Sequence, residues 1–260
     1  MLKILKYSFY DLMRSSWSYV YLLFYLLLGF VMLFLSPSLS KAILTLMNVI
    51  IMLVPLIGTV FGVMYYYSSR EFTELLLALP VKRSSIFLGQ FFGVAISLSL
   101  SLIIGLGLPF VIYGLFQSSD IWQFGMLLLL GTLLTFIFTG ISYNIALANE
   151  NRIKGFGYAI LVWLFLAVIY DGIFLISLMY FIDYPLDKFS LIASIFNPID
   201  LSRIMMLLKL DISALLGYTG ALFKKFFSNY WGSLIALGLL FVWVITPIFI
   251  LRRQSTKKDF

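Results

Sequence analysis

The sequence predicts an all-α integral membrane fold, six transmembrane helices with an amphipathic surface helix ahead of them, on three observations. Hydrophobic residues make up 62% of the 260 and charged residues 11%, with mean hydropathy +1.06, which is too little charge to cover a water-facing surface. The apolar residues come in unbroken runs that match or exceed the roughly 20 needed to cross a bilayer core as helix. Those runs show no polar–apolar alternation, which excludes barrel strands. Helices are then the one way to pair every backbone group in hydrocarbon.

In chain order, residues 2–14 come first. Leu2, Leu5, Phe9, Leu12 and Met13 share one helical face, while Lys3, Lys6, Tyr10 and Arg14 lie mostly on the other. That pattern predicts a helix lying along the membrane surface, although a basic lead-in to the first span would carry the same charges. Apolar runs follow at 17–35, 43–67, 86–116, 121–148, 156–182 and 231–251. The first is too long for a signal-peptide core and no small-residue cleavage site follows it, so it is expected to be retained. The third exceeds a span and must tilt, kink near Gly105, Gly107 and Pro109, or emerge into water. Trp17, Tyr19, Tyr21, Tyr65, Tyr66, Tyr67, Trp122 and Trp231 fall near run ends, as aromatic belts at the headgroups do.

Cations alternate with the spans. Lys3, Lys6 and Arg14 precede the first span; Arg70, Lys82 and Arg83 lie in the second loop, and Arg152 and Lys154 in the fourth. Arg252, Arg253, Lys257 and Lys258 follow the last span, whereas the first and third loops hold only Lys41; the remaining five, Lys188, Arg203, Lys209, Lys224 and Lys225, lie in the long fifth loop. The asymmetry predicts a bacterial inner-membrane protein with both termini in the cytoplasm. It also accounts for most of the net charge of +7. Nucleic acid is not indicated, since no basic groove with interleaved aromatics occurs. The whole of 1–260 reads as one transmembrane domain, with a cytoplasmic segment at 68–85 and an extracytoplasmic loop at 183–230.

The segment 68–85 carries the most information. It begins charged, with Arg70 and Glu71, and becomes a short apolar helix, Glu74-Leu75-Leu76-Leu77-Ala78-Leu79. Pro80 stops that helix, because proline lacks a donor and disfavours helix in the residue before it. Lys82 and Arg83 return the chain to water and Ser84 is placed to cap the next helix. A helix too short to span and too apolar to float free suits docking to a partner protein. It equally suits an interfacial position with no partner.

This run, Glu74 to Pro80 followed by Lys82, Arg83 and Gly89, resembles the coupling segment of ABC-2 type permeases, where Gly-Thr-Leu-Glu-Leu-Leu-Leu-x-x-Pro joins the second and third spans. Glu71, Phe72 and Thr73 depart from the Gly-Thr-Leu. The layout is similar as well: a surface helix, six spans and a large outer loop before the last, the arrangement of type V exporters. The resemblance implies a separate ABC ATPase subunit carrying ATP and Mg, docked through Glu71, Glu74, Leu75, Leu76, Leu77, Leu79, Pro80, Lys82 and Arg83, and a permease homodimer. A narrower likeness lies in Asn197-Pro198-Ile199-Asp200-Leu201-Ser202-Arg203, together with Tyr170-Asp171 in the fifth span. It is to the ABC-2 permeases that serve assembly of the copper site of nitrous oxide reductase. It implies a periplasmic accessory protein docked at Asn197, Pro198, Asp200, Arg203 and Ile204. ABC-2 permeases exporting other cargo share most of these features.

The chain itself offers little for catalysis or cofactors. Cysteine and histidine are both absent, which removes thiolate and imidazole chemistry, and no G-x-x-x-x-G-K-[ST] phosphate loop occurs. Asp171 is the one acid well inside a predicted span and must find a partner or be neutral; the candidates are a conduit, a dimer seam, or a bond to Ser142, Tyr143 or Asn144. An aspartyl intramembrane protease would need a second carboxylate in another span, so a catalytic subunit is not expected. A secondary transporter or channel would show repeats, matched broken helices or several buried charges. Leu201, Ile204, Met205 and Leu208 predict an apolar helical stripe capped by Asp200, placed either to dock a periplasmic protein or to pack on the spans. Met205-Met206 tempts a copper site. Adjacent helical positions diverge by about 100°, however, so no metal ligands are expected.

Overall fold

The computed structural model describes residues 1–180, 187–209 and 230–257. Helix α1 (Leu2–Arg14) leads to α2 (Ser16–Leu35) and α3 (Leu39–Ser68), then the short α4 (Arg70–Leu77) and α5 (Arg83–Ile112). Helix α6 (Ile121–Ala148) is followed by α7 (Arg152–Leu164), a π turn at Phe165–Ile169 and α8 (Tyr170–Tyr180), which together make one span. Helices α9 (Asp187–Ile195) and α10 (Pro198–Lys209) precede α11 (Tyr230–Lys257). Six stretches are long and apolar enough to cross a membrane: α2, α3, α5, α6, Arg152–Ser177 and Gly232–Thr256. The remainder of the outer loop, 210–229, lies outside the described residues, as does the side chain of Leu208.

Helices α3, α5 and α6 form the centre, and the contact between α3 and α6 is the most extensive. Its cause is a small-residue seam. Gly58 and Gly62, four apart and so on one face of α3, meet Thr139 and Ser142 of α6, and Thr139 Oγ1 donates to the Gly58 carbonyl at 3.4 Å. Close backbone approach of this kind replaces the hydrophobic drive that is missing between helices in lipid. The peripheral span of α7 and α8 has 11% of its most apolar window buried, against 61% for α6. Its apolar exposed side chains, Leu161, Ile176 and Met179 among them, therefore face lipid.

The over-long third run resolves by emergence. Helix α5 runs through Pro109, whose ring fills a notch left by Gly29 of α2, and ends at Ile112. Gly114, at φ 91°, turns the chain, and Tyr113 and Phe116 are exposed beyond it. Of the expected belt residues, Trp17, Tyr19 and Trp122 are exposed, and the side chain of Trp231 is not among those described. Tyr21, Tyr65 and Tyr66 are buried instead, because each hydroxyl end lies among polar or aromatic neighbours inside the bundle. Tyr21 and Tyr25 share a hydrogen bond of 2.7 Å, for example.

The span ends sort into two groups. One, the basic end, gathers α1, α4 and the α6–α7 turn, where the Tyr67 hydroxyl donates to the Asn149 carbonyl at 2.8 Å. The far end gathers the α2–α3 and α5–α6 turns, joined by Ser40 donating to Asp120 at 2.9 Å, with α9 and α10. Helix α1 packs along α5 through Gly89 and Gly93, where added Cβ atoms would meet Ile4 and Ser8. Its packed face therefore runs through Ile4, Leu5, Ser8 and Leu12, and Leu2, expected on that face, is 80% exposed.

Candidate functional site

At the basic end the segment between the second and third spans is helical from Arg70 to Leu77, earlier at both limits than the expected Glu74-to-Leu79 helix. Two contacts draw the start forward: an i, i+4 ion pair of 3.0 Å between Arg70 and Glu74, and the Thr73 hydroxyl donating to the Ser69 carbonyl at 2.8 Å. Pro80 constrains Leu79, so the helix stops short of it, with Ala78, still in the right-handed helical region, as the C-cap residue. Ser84 does not cap α5; Lys82 is the N-cap residue, without a side-chain bond, and Arg83 begins the helix.

Helix α4 has two unlike sides. Glu71, Glu74, Leu75, Leu79, Pro80, Lys82 and Arg83 are exposed, with Leu75 at 70% and Leu79 at 54%. Leu76 and Leu77 are half-buried and Thr73 is buried. Gln90 of α5, fully buried, donates its amide to Thr73 Oγ1 at 2.8 Å, and Phe72 stacks on Tyr7 of α1 with ring centroids 4.4 Å apart. The helix is thus fastened to α5 and α1 on one side and presents Leu75 on the other, with Leu79 exposed in the turn that follows it. Sequence reasoning missed Gln90. The signal was there: a lone amide inside an apolar run needs a partner.

At the far end the structure brings Asp171, Asn197, Asp200 and Arg203 together. Asp171 lies inside the span Arg152–Ser177, past its middle, about 28 Å from Arg152 at 1.5 Å per residue. Its partner is Arg203, whose Nη1 donates to Asp171 Oδ2 at 2.7 Å and to Asp200 Oδ1 at 3.3 Å. The expected bond to α6 is not made. Asn144 instead donates to the Gly140 and Pro247 carbonyls at 2.8 Å each, tying α6 to α11, and Ser142 donates to Thr139.

The π turn beside Asp171 breaks the regular ladder, and the Leu166 carbonyl within it accepts from Asn197 Nδ2 at 2.8 Å. Asn197 Oδ1 accepts from the backbone of Ile199 at 3.1 Å, and Nδ2 also donates to Asp200 Oδ2 at 2.8 Å. Asn197, not Asp200, therefore caps α10. Pro198 takes the first helical position and Asp200 the third, where an acid suits the helix N-terminus. Burial pushes the Asp200 carboxyl up to about 8; the hydrogen bond and charge of Asp171 add to the rise, and Arg203 and Asn197 oppose it.

Among the described side chains of α10, all are buried except Arg203, which is partly exposed. The stripe Leu201, Ile204 and Met205 is consumed against α3, α6 and α11, and Met206 packs there as well. Asn197, Pro198, Asp200 and Ile204 therefore offer no surface to a second protein, because the spans already cover them. No group of three or more His, Cys, Asp or Glu placed to hold a metal occurs among the described residues.

Fold and sites define the class: a multi-pass, all-α membrane protein of six spans with a short helix presented at one end. The chain is similar to the "Probable ABC transporter permease protein NosY" of Stutzerimonas stutzeri, 26% identical over 179 residues that cover 67% of this chain and 58% of that protein. The similarity supports a relationship to ABC-transporter permeases. No protein-family model matches the chain.

Proposed function

We propose that this chain is the membrane-spanning permease subunit of an ATP-driven transporter of the ABC-2 type, moved by a separate ATPase that docks on α4. The observation that carries this reading is the two-sided α4. Leu75 and Leu79 face outward to be gripped, while the Gln90–Thr73 bond and the Tyr7–Phe72 stack pass displacement to α5 and α1. ATP and Mg are held by the ATPase, whose closure pushes α4 and shifts the central spans against one another. In this reading the basic end is cytoplasmic, the bilayer is a bacterial inner membrane, and two permeases assemble about a two-fold axis with two ATPases.

The particular role we infer is in assembly of the copper site of nitrous oxide reductase, with a periplasmic accessory protein at the far end. The motif at 197–203 and the similarity to NosY support it. Because α10 is enclosed, the accessory protein would meet α9 and the turn after it, where Phe189, Ile192 and Phe196 are exposed. The permease itself holds no copper in this scheme.

The coupling reading is tested by placing aspartate at both Leu75 and Leu79 and purifying the complex in detergent. The expected result is loss of the co-purifying ATPase with the permease still monodisperse; undiminished ATPase recovery overturns the reading. The specific role is tested by deleting the gene in a nitrous-oxide-respiring host and measuring copper in its reductase. A fully loaded reductase would leave a permease for other cargo.

A further inference from the structure

At the basic end, α1, α2 and α3 leave an open cavity of about 290 Å³. It exists because the backbone at Ser15 is extended, at φ −68° and ψ 139°, so α1 leaves the axis of α2 and a gap opens beneath the bend. Trp17, Phe61 and Tyr65 provide aromatic wall, Ser15 and Ser68 provide hydroxyls, and Asp11 provides a carboxylate. Asp11 is the one acid in a leading segment that carries Lys3, Lys6 and Arg14. It is held in place, since the Tyr65 hydroxyl, on a residue 7% exposed, donates to Asp11 Oδ2 at 3.1 Å. The second carboxylate oxygen remains for another donor.

The chemistry of the cavity is selective. A fixed carboxylate beside aromatic faces favours an organic ammonium, which gains both an ion pair and cation–π attraction once partly desolvated. A divalent metal would need several oxygen ligands, and Asp11 is the one carboxylate in the lining. The cavity also sits where the first span begins, beside the exposed indole of Trp17, and interfacial tryptophans mark the depth of lipid headgroups. An ammonium joined to a phosphate and two acyl chains is available at that depth. Ser15 and Ser68, both in the lining, offer hydroxyls to the phosphate.

We propose that this cavity binds the ammonium headgroup of an aminophospholipid of the phosphatidylethanolamine type, seated between α1 and the first two spans. The bound lipid fills the wedge under α1, and α1 packs along α5. Lipid occupancy thereby sets the stance of α1. This does not depend on the permease reading.

The test is native mass spectrometry of the intact chain released from micelles doped with equal phosphatidylethanolamine and phosphatidylglycerol. The expected result is retention of the ethanolamine lipid several-fold over the glycerol lipid. Asp11→Asn should lose that preference and Asp11→Glu should keep part of it. Trp17→Ala, at an exposed position, should weaken retention with the fold unchanged, so the test survives if Asp11→Asn misfolds. Equal retention of the two lipids overturns the proposal, as does wild-type retention by both Asp11→Asn and Trp17→Ala. Free phosphoethanolamine competing as well as the lipid would overturn the lipid as source.

Discussion

Arg203 brings a positive charge to Asp171 that the spans themselves do not supply, and it does so from a helix outside the six spans. Both members are about a quarter to a third exposed, so the pair is neither fully screened nor fully buried. Arg203→Ala should lower thermal stability in detergent by about 1–3 kcal/mol, because Asp171 and Asp200 then lose the donor they share. The double variant Arg203→Leu with Asp171→Asn should recover most of the loss. No recovery would mean that the arginine acts through packing alone. Asp200 gives the neighbourhood a pH dependence of known sign. Its carboxyl is raised to about 8 by burial, so the folded chain binds a proton that the unfolded chain releases near the ordinary aspartate value, about 4. Its stabilising contribution is therefore full below about pH 4 and is lost as the pH climbs through about 8. Melting temperature measured from pH 5 to 9 should fall more steeply in the wild type than in Asp200→Asn. Sequence reasoning found Asp171 and Arg203 separately. Their pairing spans 32 positions and follows from how α10 packs, which no local pattern encodes.

Helix contacts in this bundle depend on glycines at which side chains of neighbouring helices rest. A Cβ added at Gly62 would run into the Ser142 hydroxyl, whereas one at Gly107 would meet open space. Gly62→Val should cost several kcal/mol, as overpacking does where a backbone cannot retreat, with early unfolding and broadened gel filtration in detergent. Gly107→Ala should be close to silent in the same measurements. Most of the elements themselves were legible in the sequence. Span limits followed to within a few residues from run length, and Pro80 marked the stop of α4 to within two residues. The start of α4 was not, because an ion pair and a hydroxyl back-bond extended it over residues that read as charged loop. The π turn at Phe165–Ile169 was equally hidden, since the Leu166 carbonyl within it is satisfied by Asn197, 31 residues away.

Across the whole molecule, basic residues mark one end and the enclosed α10 marks the other. Because the chain has no cysteine, sidedness can be measured with single introduced thiols. Ile153→Cys, in the first turn of α7 and 82% exposed in the parent, should react with an impermeant reagent only from the side of the basic end, the cytoplasm in the proposed reading. Phe116→Cys, 70% exposed beyond α5, should react only from the opposite face. Labelling of both from one side would undo the six-span threading. The lipid-facing surface is unevenly shared, with the α7–α8 span the least enclosed and the α3–α5–α6 centre the most.

The sequence alone determined that lipid is the solvent, how often the chain crosses it, and that a short helix interrupts the second and third spans. These depend on composition and run length, which the hydrocarbon thickness constrains directly. Only the tertiary structure decided which side of α4 is free, that Asp171 answers to Arg203 rather than to Asn144, and that the apolar stripe of α10 packs on the spans. Each of those is set by distant packing, where a side chain's partner is chosen by the arrangement of helices and not by its neighbours in the chain.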